Sequence, residues 1–294
     1  MNRQFALIGH PLGHSLSPQL HRGLFALAGR SGCYSLLDIP PEEAARGIQL
    51  RQRLQQLAGF NITIPYKTQI IPLLDELDAD AAFYGAVNTV ANRDGHLVGY
   101  NTDVAGFCLT LRQAGAEDDL AEKVCVIGAG GAGRTMALEA GRRGARVCLA
   151  VRPTSLDRAN RLADEMVCHG MKPPQVCDVA GLQGGWDLLV NASPAGMFPK
   201  VDVMAVSPAA LVGTRTVFDA VYNPADTLLL RTARQAGCRC VGGMAMLAWQ
   251  GAEAHRIWDG DRYDPADIDQ LTEQLYAALS GPQNQERDEE EQLP

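Results

Sequence analysis

Lys67 and Asp103 stand out because each closes a short segment of small neutral hydrogen-bonding residues placed after an apolar run. The first run, residues 4–8, is followed by Gly9-His-Pro-Leu-Gly-His-Ser15-Leu-Ser17-Pro-Gln-Leu-His21. Later come Asn61-Ile-Thr63-Ile-Pro-Tyr-Lys67, Gly85-Ala-Val-Asn88-Thr89 and Gly99-Tyr-Asn101-Thr102-Asp103. Serine, threonine and asparagine bond alcohols and carboxylates directionally, which suits a small hydroxyl-rich ligand. An ammonium can give a proton to a forming alkoxide, take it back from an alcohol, and face the developing oxyanion. A carboxylate beside it would orient it. Taken one at a time, these residues have plainer uses. Ser17 suits a helix N-cap ahead of Pro18, Asn88 and Asn101 suit turns, Asp103 suits a helix start, and most lysines are solvated. Their convergence at successive strand ends favours a site.

A second constellation lies in mid-chain. The run Val124-Cys-Val-Ile127 leads into Gly128, Ala129, Gly130, Gly131, Ala132 and Gly133, and a helix-like stretch follows. A buried strand, a Gly-x-Gly-x-x-Gly turn and a helix start together form a pyrophosphate cradle, where the free N–H groups and the positive helix end meet the phosphates. An NAD-selective site of this kind usually carries an acid at the end of the next strand. Here the chain reads Ala150-Val-Arg152-Pro-Thr154-Ser155, with Arg158 further on. Arg152 is therefore expected to face a 2′-phosphate, making NADP the expected cofactor and NAD the alternative.

The elements that must position these residues alternate. Strand patterns fall at 4–8, 33–39, 59–64, 85–92 and 96–100, the last two joined by a hairpin at Arg93-Asp-Gly95. Helical spacing predicts helices at 18–28, 41–57, from Pro65 through Leu77, and 104–114. The second half places strands near 124–128, 146–151, 175–178, 187–191, 216–220 and 238–241, then helices at 246–258 and 268–279. The expected fold is α/β with two domains: an N-terminal α/β substrate domain with a mostly parallel sheet, and a Rossmann-type dinucleotide-binding domain. Boundaries are expected at 1–103 for the substrate domain, 104–243 for the nucleotide domain, and 244–280 for helices returning to the first domain. An acidic tail at 281–294 is expected to be disordered.

With 294 residues, 46% apolar, 20% charged and a net charge of −8, the chain reads as an ordinary globular protein large enough for two domains. It has no basic stripe for nucleic acid, no apolar stretch of the roughly 20 residues a membrane span needs, and no signal-peptide pattern. The eight cysteines form no Cys-x-x-Cys, Cys238-x-Cys240 is too close for a zinc pair, and His10 and His14 flank a Pro-Gly turn. No metal site is expected. Reduced thiols fit a cytoplasmic location. The expected partner is a small molecule, and the assembly a monomer or homodimer.

The ordered set Gly9-x-Pro-x-x-His14-Ser15-x-Ser17-Pro18-x-x-His21, Asn61-Ile-Thr63-Ile-Pro-Tyr-Lys67, Gly85-Ala-Val-Asn88-Thr89, Asn101-Thr102-Asp103-x-x-Gly106, the glycine turn, Val190-Asn191-Ala-Ser-Pro-Ala-Gly196-Met197, Asp219-Ala-Val-Tyr222-Asn-Pro224 and Gly242-Gly243-Met-x-Met246-Leu-x-x-Gln250-Gly resembles the shikimate dehydrogenase family from residue 5 to about residue 280. The resemblance implies NADP-linked, reversible reduction of 3-dehydroshikimate to shikimate, a step of the chorismate pathway to aromatic amino acids. It implies Lys67 and Asp103 as the catalytic pair. It implies Ser15, Ser17, Thr63, Asn88, Tyr222 and Gln250, together with that pair, around the substrate, and Gly243 beside the nicotinamide.

The chain departs from the family pattern in three places. Val151-Arg152-Pro153 replaces the usual Asn-Arg-Thr, Arg22 an asparagine, and Ala245 a glycine. Arg22 is expected to alter the substrate mouth, and Ala245 the seating of the cofactor. Relatives acting on quinate tend to carry threonine at the second serine, so Ser17 favours shikimate. An NAD-preferring quinate/shikimate dehydrogenase or a specialised paralogue is the alternative. A non-catalytic dinucleotide sensor ranks lower, because Lys67 and Asp103 are both present.

Overall fold

The computed structural model describes residues 3–13 and 15–279. The expected disorder of 281–294 and the position of His14 lie outside the described residues. The chain divides into two compact units. One contains the chain up to Gly106 and Ala248–Leu271, the other Phe107–Leu247 and the described residues from Thr272 on.

The first unit is built on β1 (Arg3–Gly9), β2 (Gly32–Asp38), β3 (Gly59–Ile62), β4 (Glu76–Leu77), β5 (Thr89–Arg93) and β6 (His96–Tyr100), in the order β2-β1-β3-β5-β6-β4. β1 runs parallel to both β2 and β3, and β4 parallel to β6, while β5 is antiparallel to β3 and β6. Its helices are α1 (Ser17–Leu27), α2 (Pro41–Ala44), α3 (Ile48–Leu54), α4 (Ala79–Tyr84) and the start of α5 (Asp103–Gln113). β1 and β3 are buried on both faces, as near-continuous apolar runs must be when helices cover both sides of a sheet. Ile8, Leu54, Phe60, Ile62, Val90 and Leu97 fill one core. Phe5, Phe25, Ala91, Ala254 and Trp258 fill another, where the Trp258 indole N–H donates to the Val90 carbonyl at 3.0 Å.

The second unit carries β7 (Lys123–Ile127), β8 (Arg146–Val151), β9 (Gln175–Asp178), β10 (Leu188–Asn191), β11 (Thr216–Asp219) and β12 (Arg239–Gly242), with α6 (Gly131–Arg142), α7 (Leu156–Cys168) and α8 (Leu228–Gln235). The sheet order is β12-β11-β10-β7-β8-β9, and every pairing is parallel. This is the doubly wound arrangement, with its switch point between β7 and β10, where ligands bind beyond the carboxyl ends of strands. Cys125 of β7 sits in register with Cys148 of β8, and Cys177 of β9 lies 3.5 Å from Cys148, sulfur to sulfur. Helices α9 (Gly243–Asp259) and α10 (Pro265–Leu279) complete the fold. No helix among the described residues is long and apolar enough to cross a membrane.

Local differences from the sequence expectations have local causes. The helix expected over 41–57 is broken into α2 and α3 at Gly47, whose φ of +40° a helix does not tolerate. The helix expected from Pro65 through Leu77 does not form. Turns run instead to a short 3-10 segment at Ile71–Leu73, and the chain then pairs with β6 as β4. Asp75 drives this exchange. Its N–H bonds the Leu97 carbonyl at 2.9 Å, and its carboxylate accepts from the Leu97 N–H at 2.8 Å and from Arg51. The helical turn moves on to α4, which Asp78 caps through the Ala81 N–H at 2.8 Å. Ser17 is the first residue of α1 rather than its N-cap, and Leu16 holds that place without a side-chain bond.

Candidate active site

Lys67 is held from its backbone outward. Pro65 and Tyr66 lie in a turn closed by the Tyr66 N–H on the Thr63 carbonyl at 2.9 Å. The Tyr66 hydroxyl donates to the Ile39 carbonyl at 2.5 Å, and the Lys67 carbonyl accepts from the Val87 N–H at 2.7 Å. Asp103 opens α5, where Asn101 Oδ1 takes the Val104 N–H at 3.3 Å. Lys67 Nζ then reaches Asp103 Oδ2 at 2.5 Å, the lysine side chain 15% exposed and the aspartate 6%. A short, charge-assisted bond of this kind fixes both partners while leaving the ammonium in touch with solvent.

Asn88 fixes the other carboxylate oxygen. A backbone N–H can only donate, so the Thr102 N–H at 2.6 Å must face Asn88 Oδ1. That turns Nδ2 toward Asp103 Oδ1 at 3.0 Å, Thr102 Oγ1 at 2.9 Å and Gln250 Oε1 at 3.3 Å. Behind this cluster the polar chain continues through buried groups. Thr102 Oγ1 meets Thr89 Oγ1 at 3.1 Å, Asn61 Nδ2 donates to Thr89 Oγ1 at 2.9 Å, and the Tyr34 hydroxyl donates to Asn61 Oδ1 at 2.8 Å. Full satisfaction makes such a network rigid rather than costly.

His21 stacks on Tyr34 with ring centres 3.9 Å apart, and its Nδ1 lies 3.0 Å from His255 Nε2. His255 Nδ1 in turn meets the Tyr263 hydroxyl at 2.9 Å. Burial holds both imidazoles neutral. It lowers His21 well below its usual range, with His255 beside it adding to the effect, and brings His255 down to about 4 against opposing carboxylates at Asp261 and Asp259.

The remaining residues singled out in this unit lie on the same strand ends. Ser15 Oγ accepts the Ser17 N–H at 3.2 Å and donates to Ser17 Oγ at 3.2 Å. Thr63 follows β3, half-buried, with its N–H on the Ile8 carbonyl at 2.8 Å. The first unit thus holds Ser15, Ser17, Thr63, Lys67, Asn88, Asp103 and Gln250, while Tyr222, Gly243, Arg152 and the glycine turn belong to the second. Asn61, Thr89, Thr102 and Tyr34 join this network without a role expected from the sequence. For the first three the signal is position: each falls next to a chemistry-bearing residue at a strand end. Arg22 is exposed and lines, with Pro18, Phe25, Gly32, Cys33 and Tyr34, a hollow of about 150 Å³.

In the second unit β7 runs into Gly128, which adopts φ +97°, and Gly130 is the N-cap of α6. The first helical N–H bond is Arg134 to Gly130 at 2.8 Å, so the N–H groups of Gly131, Ala132 and Gly133 precede the ladder. A Cβ on Gly130 would point into open space, whereas one on Gly133 would collide with the Gly128 carbonyl oxygen. An open cradle over a helix start, backed by a close-packed glycine, fits a pyrophosphate. Arg152 is exposed at the end of β8, and no acid occupies that strand end. Asp219, at the end of β11, accepts from Asn191 Nδ2 at 2.9 Å, the Val221 N–H at 3.1 Å and the Thr227 hydroxyl at 2.6 Å. These bonds tie down the loop leading to Tyr222. Burial outweighs all three and lifts the Asp219 carboxyl to about 6.

The two folds, the glycine cradle and the ammonium–carboxylate pair define the architecture of a dinucleotide-dependent oxidoreductase. Residues 7–90 match the family model described as the shikimate dehydrogenase substrate binding domain. The shikimate dehydrogenase (NADP(+)) of Moorella thermoacetica is 37% identical over 281 residues, covering 94% of each chain. That of Rubrobacter xylanophilus is 41% identical over 259 residues, covering 86% of this chain and 89% of the relative. The crystal structure of shikimate 5-dehydrogenase from Thermus thermophilus in complex with NADP(H) and shikimate superposes with a TM-score of 0.80 at 33% identity, covering 93% of this chain and 99% of that one. The chain belongs to the shikimate dehydrogenase family.

Proposed function

We propose that the chain interconverts 3-dehydroshikimate and shikimate with NADP as the redox partner. The observation that carries this reading is the Lys67–Asp103 pair at 2.5 Å, oriented by Asn88 and ringed by neutral donors and acceptors. Its relatives' substrates and cofactor point the same way.

NADPH bound at the second unit supplies the hydride, which is the cofactor's own chemistry. Hydride addition to the 3-keto carbon leaves an alkoxide, and Lys67 Nζ donates a proton to that oxygen. In the oxidative direction the neutral amine takes the hydroxyl proton as hydride leaves the carbon. Asp103 Oδ2 holds the amine in place through both half-reactions. Ser15, Ser17, Thr63, Asn88, Gln250 and Tyr222 bind the substrate's carboxylate and hydroxyls. Gly128 to Gly133 hold the pyrophosphate, Gly243 lines the nicotinamide site, and Arg152 meets the 2′-phosphate. Eight cysteines without a disulfide fit a reducing cytoplasm.

The test is a steady-state matrix of shikimate and quinate, each with NADP and NAD. The expected result is the highest kcat/KM for shikimate with NADP. Turnover of neither acid with either cofactor would overturn the assignment.

A further inference from the structure

We propose that Asp38, outside every segment assigned to the site above, is a positioning residue that holds the Ser15 segment in its substrate-binding shape. Asp38 is the last residue of β2, paired with Gly9, the last of β1. Its carboxylate spans the segment that follows Gly9. Oδ1 lies 2.6 Å from His10 Nδ1, and Oδ2 accepts the Leu12 N–H at 3.1 Å. The Leu12 carbonyl then accepts the Ser15 N–H at 3.3 Å, and Ser15 Oγ accepts the Ser17 N–H at 3.2 Å. One side chain thus begins a relay of three hydrogen bonds ending on both serines. The Ile39 N–H on the Gly9 carbonyl at 3.0 Å and the His10 N–H on the Ile64 carbonyl at 3.0 Å fix the base of the segment to its neighbours.

The Asp38–His10 contact itself adds little stability, because the two side chains are 46% and 38% exposed. What Asp38 supplies is geometry: Leu12, with no polar side chain of its own, is placed through its backbone. The His10 bond keeps the Asp38 carboxyl below its usual range, so the acceptor stays ionised at neutral pH. A group that places a substrate-binding serine acts alike on the bound substrate and the transition state, so its loss should raise KM and spare kcat.

This inference rests on the functional reading above, so two readouts are needed. With shikimate and NADP, Asp38→Ala is expected to raise the KM for shikimate about 5- to 10-fold while kcat and the KM for NADP stay within about twofold. Asp38→Asn, which still accepts the Leu12 N–H and can donate to the other tautomer of His10, is expected to recover most of the loss. Amide hydrogen exchange of the peptide spanning Leu12 to Ser17 in the ligand-free proteins should quicken in Asp38→Ala and not in Asp38→Asn. Unchanged exchange in Asp38→Ala overturns the proposal, whatever the substrate proves to be. Faster exchange with no rise in KM overturns its link to substrate binding. If the unaltered protein fails to turn over shikimate, the functional reading falls and the exchange comparison still decides the role of Asp38.

Discussion

Replacing His255 by glutamine should remove much of the chain's sensitivity to mild acid. In the folded first unit His255 titrates at about 4, because the 0% exposed ring sits among His21, Phe25 and Trp258. In the unfolded chain an imidazole titrates near 6.5. Between those values the unfolded state binds a proton that the folded state refuses, so stability falls as pH drops. From pH 7 to pH 5 this single group costs about 2 kcal/mol, and His21, lowered for the same reason, adds to the loss.

Asp219 opposes the effect in the second unit. Its folded carboxyl titrates at about 6 against an ordinary 3.8, so the folded state holds a proton the unfolded state has released. Its contribution is greatest below 3.8 and is lost as pH rises through 6. Acidification from pH 7 to pH 5 therefore returns about 1 kcal/mol to that unit. Urea titrations at the two pH values, followed by tryptophan fluorescence with Trp258 beside His255 as reporter of the first unit and buried Trp186 as reporter of the second, give both slopes. Glutamine lowers stability at both pH values through lost ring packing, but the difference between them should shrink by about 2 kcal/mol. An unchanged difference would refute the claim that His255 is neutral in the fold.

Three further outcomes follow from the site. Lys67→Ala should lower kcat by about 10²- to 10⁴-fold with NADP affinity retained by fluorescence titration, and near-full turnover would remove the proton-handling role. Arg152→Ala should raise the KM for NADP several-fold more than that for NAD, since the exposed guanidinium at the end of β8 has only the 2′-phosphate to distinguish them. Gly133→Ala forces a methyl onto the Gly128 carbonyl oxygen, so α6 must shift; calorimetry should show both a lower Tm and weaker NADP binding.

The Lys67–Asp103 pair was legible as a candidate because its residues sit in motifs at strand ends, where α/β sheets expose side chains to ligands. The doubly wound half was legible because each apolar run is bounded by turn residues. Two kinds of feature were not. Residues 65–77 carry apolar spacing fit for a helix, yet Asp75 finds better partners on β6, a long-range pairing with no local signature. Asp38 likewise shows only as one acid after an apolar run, and its importance arises when β1 and β2 lie side by side. Tyr34 joins Asn61 across the sheet for the same reason. Periodicity reports what a segment can bury, not which distant polar group it will meet.

The three thiols in line across β7, β8 and β9 give the second unit a built-in gauge of its own breathing. Cys148, central in the row, is drawn below the ordinary thiol range by its thiol neighbours Cys125 and Cys177, while burial pushes Cys177 on the edge strand above it. Only 2% of Cys148 is exposed, so a thiol reagent reaches it only when the strands around it part. Its labelling rate under native conditions therefore counts how often the edge strand lifts away, and a bound nucleotide that steadies this sheet should slow that clock.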